Sequence, residues 1–356
     1  MKPLNERFLS AFDRFKLFAC VLLCFSWQAS AGQAKAFFSW QDALVHSSSG
    51  LKSMVLRNDS LTVLSSRIAE FKSLKRLTIE CKQLKELPEE IGELENLEIL
   101  TLSGSKLTSL PKSIGKLKKL KILDLNRGKL ISLPKEIGNL TNLYKLRVGL
   151  NQLVELPKEI GQLKNLISLT LNGNQLVELP QEIGSLGKLA LLYLGGNKLE
   201  CLPKSIGNLR ELESLHLGYN NLKGLPDEIQ QLTNLGWLYL ENNQLTALPA
   251  GIGGLKKLKK MGLQDNRLRK LPKEIGQLGN LQELNLKNNR LRRLPEEIDQ
   301  LTSLREFDLE NNRLRNLPEE IGQLANLQKL YLEHNRFSKA KQRKIRQWLP
   351  KCRIPF

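Results

Sequence analysis

A 23-residue period runs through this chain and leaves few alternatives for its fold. In residues 143 to 165, LYKLRVGLNQLVELPKEIGQLKN, the residues Leu143, Leu146, Val148, Asn151, Leu153, Leu156, Pro157, Ile160 and Leu163 hold fixed offsets that recur along the chain. Steps of 23 from Asn151 reach Asn174, Asn197, Asn220, Asn243, Asn266, Asn289, Asn312 and Asn335; steps backward meet the departures Gly128, Ser105, Lys82 and Asp59. That makes thirteen units in 356 residues. Eleven of the 14 prolines, Pro88 through Pro318, keep the same step, which excludes insertions and deletions over that span. A unit this short cannot bury an apolar face alone and must stack on its neighbours into a solenoid.

Each unit predicts its own local structure. Leu146, Arg147 and Val148 alternate apolar and variable residues, the period of a strand with one buried face. The LPxxIGxL stretch that follows (Leu156, Pro157, Ile160, Gly161, Leu163) has the spacing of a short 3₁₀ turn, with proline suited to its first position. The expected fold is therefore an α/β solenoid horseshoe. A concave parallel sheet of about 13 strands, extending about 60 Å at roughly 4.8 Å per strand, carries short 3₁₀ segments on its convex side. The recurring asparagine, buried at the bend after the strand, can pair with backbone groups of its own and the neighbouring turn. Asp59, Lys82, Ser105 and Gly128 cannot pair as completely, so the N-terminal third should open more easily.

The ends differ from the array. Lys2, Arg7, Arg14 and Lys16 precede an apolar run from Leu17 to Trp27, and Ala29-Ser30-Ala31 supplies small residues for signal peptidase. Residues 1–31 are read as a cleaved signal peptide, since the run falls short of the roughly 20 residues that span a bilayer. Residues 32–52 are read as an N-terminal cap, with Phe37, Trp40, Ala43 and Leu44 at helical spacing between Ala36 and Ser49. The array is assigned to 53–337 and a basic C-terminal cap to 338–356, in which Ile345, Trp348 and Leu349 form a helix face. Cys352, Ile354 and Phe356 alternate as a last strand over the sheet edge would. Residues 336 to 356 carry eight Lys or Arg and no acid, so much of the net charge of +19 is local. Cys81 and Cys201 fall five units apart, about 24 Å at the strand spacing, too far for a disulfide.

No catalytic, cofactor or metal constellation is expected. His46, His216 and His334 fall in distant units, glycines follow the repeat, and Glu89-Glu90, Glu296-Glu297 and Glu319-Glu320 occupy convex positions where they are solvated. Function is expected in the variable strand residues. The column through Arg147 includes Tyr193, His216, Tyr239 and Gly262; two residues earlier lie Leu191, Ser214 and Trp237. Leu191, Tyr193, His216, Tyr219, Trp237 and Tyr239 are predicted to form an exposed concave patch, with Gly195, Gly218 and Gly262 leaving room beside it. The plainer reading is that these rings pack on one another across strands. A second candidate is a basic rim, Arg267, Arg290, Arg313 and Arg336 with Arg269, Arg292, Arg315, Lys270 and Arg293, which could hold a polyanion. Against it, Glu283, Glu306, Asp308, Glu310 and Glu333 lie in adjoining columns and could balance the rim as surface ion pairs.

The pattern L-x-x-L-x-L-x-x-N-x-L-x-x-L-P-x-x-I-G-x-L, with LPKEIGNL, LPKEIGQL and the ending WLPKCRIPF, resembles the 23-residue leucine-rich repeat proteins, most closely the exported ones of Leptospira. The resemblance covers residues from about 36 to 356. It implies a non-enzymatic binding scaffold, exported or surface-exposed, that contacts host proteins or receptors. The expected partner is a protein held on the concave face, with no small-molecule substrate, cofactor or transmembrane anchor. An adhesin for an anionic glycan, acting through the basic rim, and an intracellular signalling scaffold are the alternatives. The leader places the chain in the periplasm, on the cell surface or outside the cell.

Overall fold

The computed structural model describes residues 34–46 and 50–356; the assigned signal peptide lies outside the described residues. Fourteen strands form one open sheet in chain order, and neighbouring strands are parallel. From β2 (Ser53–Arg57) and β3 (Arg76–Glu80) through β4 (Ile99–Thr101) to β14 (Lys329–Tyr331), each strand begins 23 residues after the last. Register follows the repeat, so Leu146 lies beside Leu169 and Arg147 beside Thr170. The leucines and the 3₁₀ isoleucines form one continuous buried core along the solenoid.

Each convex segment is a five-residue 3₁₀ turn, as at Lys158–Gln162. Pro157 does not sit in its first turn as expected. It is the N-cap, in extended backbone at φ −65° and ψ 141°, and its carbonyl accepts from the Ile160 N–H at 3.0 Å. The ring fixes φ and removes a donor the turn does not use. A methyl on Gly161 would lie 2.5 Å from the Glu182 carbonyl oxygen of the next unit, so the glycine sets how closely successive turns stack.

The asparagines link unit to unit. Asn151 Nδ2 donates to the Val148 carbonyl in its own turn at 3.1 Å and to the Leu125 carbonyl of the preceding unit at 2.8 Å. Its Oδ1 accepts the Leu130 N–H at 3.0 Å. Asn243 repeats the set on Leu240, Leu217 and Leu222. In the first units the link is missing: the Leu61 and Leu84 N–H groups close onto Asn58 and Cys81 of their own turns. Lys82 leaves the ladder for the surface, where its Nζ lies 2.9 Å from Asp59 Oδ2.

Both ends are covered. The N-terminal segment was expected to be helical from Ala36, but β1 (Lys35–Phe37) pairs with β2 and adds a fourteenth strand to the thirteen of the repeats. Extending the sheet supplies partners for the backbone groups that β2 would otherwise present unpaired. The helix follows as α1 (Trp40–Leu44), with the Ser39 hydroxyl accepting from the Asp42 N–H at 3.1 Å and Trp40 edge-on to Phe71. At the other end α2 (Lys339–Trp348) lies over the last 3₁₀ turn, where a methyl on Gly322 would stand 3.3 Å from Trp348 Cβ. The expected last strand is reduced to a bridge between Lys329 and Arg353 with flanking hydrogen bonds to Leu330 and Leu332, because Pro350 and Pro355 limit the donors there.

Amide exchange measured by mass spectrometry should therefore be faster in residues 53–130 than in residues 145–335. Equal protection in both regions would refute the dependence on the asparagine link.

Candidate functional site

Three adjacent strands, β8 (Leu191–Tyr193), β9 (Ser214–His216) and β10 (Trp237–Tyr239), bring the predicted aromatics together. Tyr193 and His216 stack with centroids 4.6 Å apart, and His216 and Tyr239 at 4.5 Å. Parallel strands in register place equivalent side chains at about this spacing, so the stack follows from the repeat itself. Packing also changes the expected exposure: Leu191, Tyr193, His216, Trp237 and Tyr239 are half-buried. Tyr219 is exposed, but it lies in the turn beyond β9 with φ 58°, off the strand face.

The Ser214 hydroxyl and His216 Nε2 share a hydrogen bond of 2.8 Å. Burial between the rings pushes the His216 imidazolium down to about 4, so the ring is neutral near pH 7.

The glycines do not leave an empty space. The Glu241 side chain, one column beyond Tyr239, lies across Gly218 where any methyl would collide with its carboxylate. Its Oε2 would stand 3.5 Å from a methyl on Gly262. Glu241 is 8% exposed, and Oε2 has no hydrogen-bond partner. Burial pushes its proton affinity up, with the nearby Asp265 charge adding to it. The sequence reading missed this residue. The signal was its column, in which two glycines precede a glutamate: Gly195, Gly218, Glu241.

The basic rim is assembled as expected, with Arg267, Arg269, Arg290, Arg292, Arg293, Arg313, Arg315 and Arg336 all exposed. Arg290, Arg313 and Arg336 line an open trough of about 450 Å³ with Asn288, Asn311 and His334. Of the neighbouring carboxylates, Glu283, Glu306 and Glu310 pair with lysines, and Glu310 also with His334 of the trough at 3.5 Å, not with the rim arginines. Glu283 pairs with Lys260 at 2.8 Å, Glu306 with Lys329 at 3.4 Å, and Glu310 with Lys287, all within the sheet face. The lysines share the strand columns with these acids, whereas the arginines begin beyond the bend. Among the described residues, none of the rim arginines forms an ion pair.

Among the described residues, no group of three or more His, Cys, Asp or Glu side chains is placed to hold a metal, and no helix is long and apolar enough to cross a membrane. Cys81, Cys201 and Cys352 are free thiols. Of the convex glutamates, Glu89 is more than solvated surface: its Oε2 accepts the Ser113 N–H of the next unit at 3.0 Å.

A parallel solenoid with one strand and one 3₁₀ turn per unit, bearing its variable residues on the sheet face, defines a repeat-based binding scaffold. The family model for a leucine-rich repeat region matches residues 51–152, 142–217 and 253–347, and a second leucine-rich repeat model matches 202–245. The chain belongs to the leucine-rich repeat family. It is similar to a leucine-rich repeat protein of Leptospira interrogans, at 36% identity over 91% of this chain and 100% of that one, with a TM-score of 0.56. It is also similar to the plant peptide hormone receptor RGFR1, solved in complex with RGF2, at 35% identity over 81% of this chain and 48% of the receptor, with a TM-score of 0.71. An internalin of Listeria monocytogenes shares the fold at 22% identity, 75% and 78% coverage and a TM-score of 0.65. A comparison with curated proteins returned no match.

The histidine gives a testable consequence. Its folded-state value lies below its unfolded one, so the unfolded chain binds more protons and stability falls as pH drops from about 6.5 toward 4. The melting temperature of the wild type should decline more between these pH values than that of His216→Phe, and parallel declines would show that His216 is not buried in this way.

Proposed function

We propose that this chain is a non-enzymatic scaffold that captures another protein on the concave face of its repeat array. The observation that carries this reading is the Tyr193–His216–Tyr239 stack with Trp237 beside it. A fold held by its leucines and asparagines has no need of aromatic rings on the sheet face, and half-buried aromatics on a rigid surface are the usual material of binding hot spots. Complexes of similar proteins, such as the plant receptor with RGF2 and Toll with Spatzle, support a protein as the ligand class. The basic start, apolar run and small residues of segment 1–31 support export, and with it contact between the scaffold and proteins outside the cell.

A second reading rests on a different observation. Among the described residues the rim arginines have no carboxylate partners, which leaves them available to an anionic glycan by the counterion release that drives polyanion binding.

Trp237→Ala with Tyr239→Ala should abolish capture of a protein partner in a pull-down from host or bacterial extracts while lowering the melting temperature by no more than about 4 °C. A partner set retained in full would sink the concave-face reading. Arg290→Gln with Arg313→Gln should elute from heparin at lower salt than the wild type, and unchanged retention would reduce the rim to solvated surface. Intact mass of the exported protein should correspond to a chain beginning at Gly32; a chain still beginning at Met1 would contradict export by this route.

A further inference from the structure

The sheet face carries an imbalance of charge opposite in sign to the whole molecule. From β10 to β14 its variable positions hold Glu241, Glu283, Glu306, Asp308, Glu310 and Glu333, against Lys260, Lys287 and Lys329. Each of the three lysines is taken by one carboxylate, Glu283, Glu310 or Glu306. Among the described residues, Glu241, Asp308 and Glu333 have no ion pair, in a protein whose net charge is +19.

These carboxylates are not simply facing solvent. Glu241 is 8% exposed, and both Glu241 Oε2 and Glu333 Oε2 are buried without a hydrogen-bond partner. The Gln264 Oε1, in the same column between them, is a third such acceptor. Buried acceptors in folded proteins nearly always have donors, because leaving one unpaired costs about 1–3 kcal/mol. Here three of them share one column of the face proposed to take a ligand, and all three call for donors. Tyr239 lies beside the first of them, one face stacked on His216 and the other toward Gly262, and an aromatic face attracts lysine and, more often, arginine side chains.

We infer that the concave face from β10 to β14 receives a basic segment of a protein partner, with one arginine or lysine side chain lying on the face of Tyr239 over Gly262 and its cationic end at Glu241. This rests on the concave-face reading and adds the chemistry of the ligand. The Glu241 side chain lies against Gly218 and Gly262, so its carboxylate is bordered there by backbone and not by side chains of those two positions. Further donors of the segment would meet Gln264 and Glu333 along the same column.

The test uses the full chain and fluorescently labelled, capped peptides of alternating arginine and serine, lysine and serine, or glutamate and serine, followed by anisotropy. The arginine or lysine peptide should bind, and Glu241→Gln should weaken it at least tenfold, whereas Glu178→Gln on the flank should not. Glu241→Gln removes a buried charge while keeping the shape of the side chain, so its melting temperature at pH 7 should equal or exceed that of the wild type, which separates lost binding from lost folding. Preference for the glutamate peptide, or basic-peptide binding indifferent to Glu241→Gln, overturns the inference. The two readings fail separately. If an extract partner is lost with Trp237→Ala/Tyr239→Ala but held by Glu241→Gln, the concave-face reading stands and the cationic one falls; if the aromatic variant also retains it, both fall.

Discussion

The structure depends on a hydrogen-bonding problem created by its own shape. Each unit must turn sharply after its strand, and a turn packed between identical neighbours buries backbone groups that water cannot reach. One asparagine amide solves this for two units at once, donating to the carbonyls of its own and the preceding turn and accepting an N–H of the preceding unit. A single short side chain with two donors and an acceptor is needed; aspartate and lysine each lack one kind, serine has only one donor, and glycine has no side chain. Nearest-neighbour links of this kind also make the solenoid a chain of couplings. Units that lack the link, around Asp59 and Lys82, are held by leucine packing, strand pairing and surface contacts.

Freedom at the variable positions follows from that division of labour. Because the leucines, asparagines and prolines carry the fold, the strand residues facing outward are released from stability and can be chosen for recognition. The same register that stacks leucine on leucine also stacks ring on ring and places like charges side by side. On the sheet face this gives the Tyr193–His216–Tyr239 stack and, farther along, six carboxylates of which three are paired with lysines of neighbouring strands. Beyond the bend it gives a rim of arginines that, among the described residues, form no ion pair. Two chemically distinct surfaces thus lie along one array, and net charge describes neither.

The repeat period, the strand and 3₁₀ turn of each unit, the asparagine ladder and the grouping of aromatics were legible in the sequence, because parallel in-register stacking turns a 23-residue step into a spatial neighbour. The caps were less legible. Neither end belongs to the periodic pattern, and whether Lys35–Phe37 continues a helix or pairs with β2 is decided by the open edge it covers, a property of the assembled sheet. Proline's place as cap depended on the same kind of information, since it is fixed by which carbonyl Ile160 finds.

What the sequence determined by itself is the architecture and the list of side chains that share a face. What only the tertiary structure decided is how those side chains divide the space: that Glu241 fills the gap beside Gly218, that the stacked rings are half-buried, and that Glu283, Glu306 and Glu310 pair with lysines and not with the rim arginines. The physical reason is that a column fixes the order of residues along the array, whereas burial and pairing depend on side-chain reach, rotamer and the absence of a Cβ on a neighbour. A glycine in a sequence is only a missing side chain; in the folded sheet its meaning is set by the residue that lies over it.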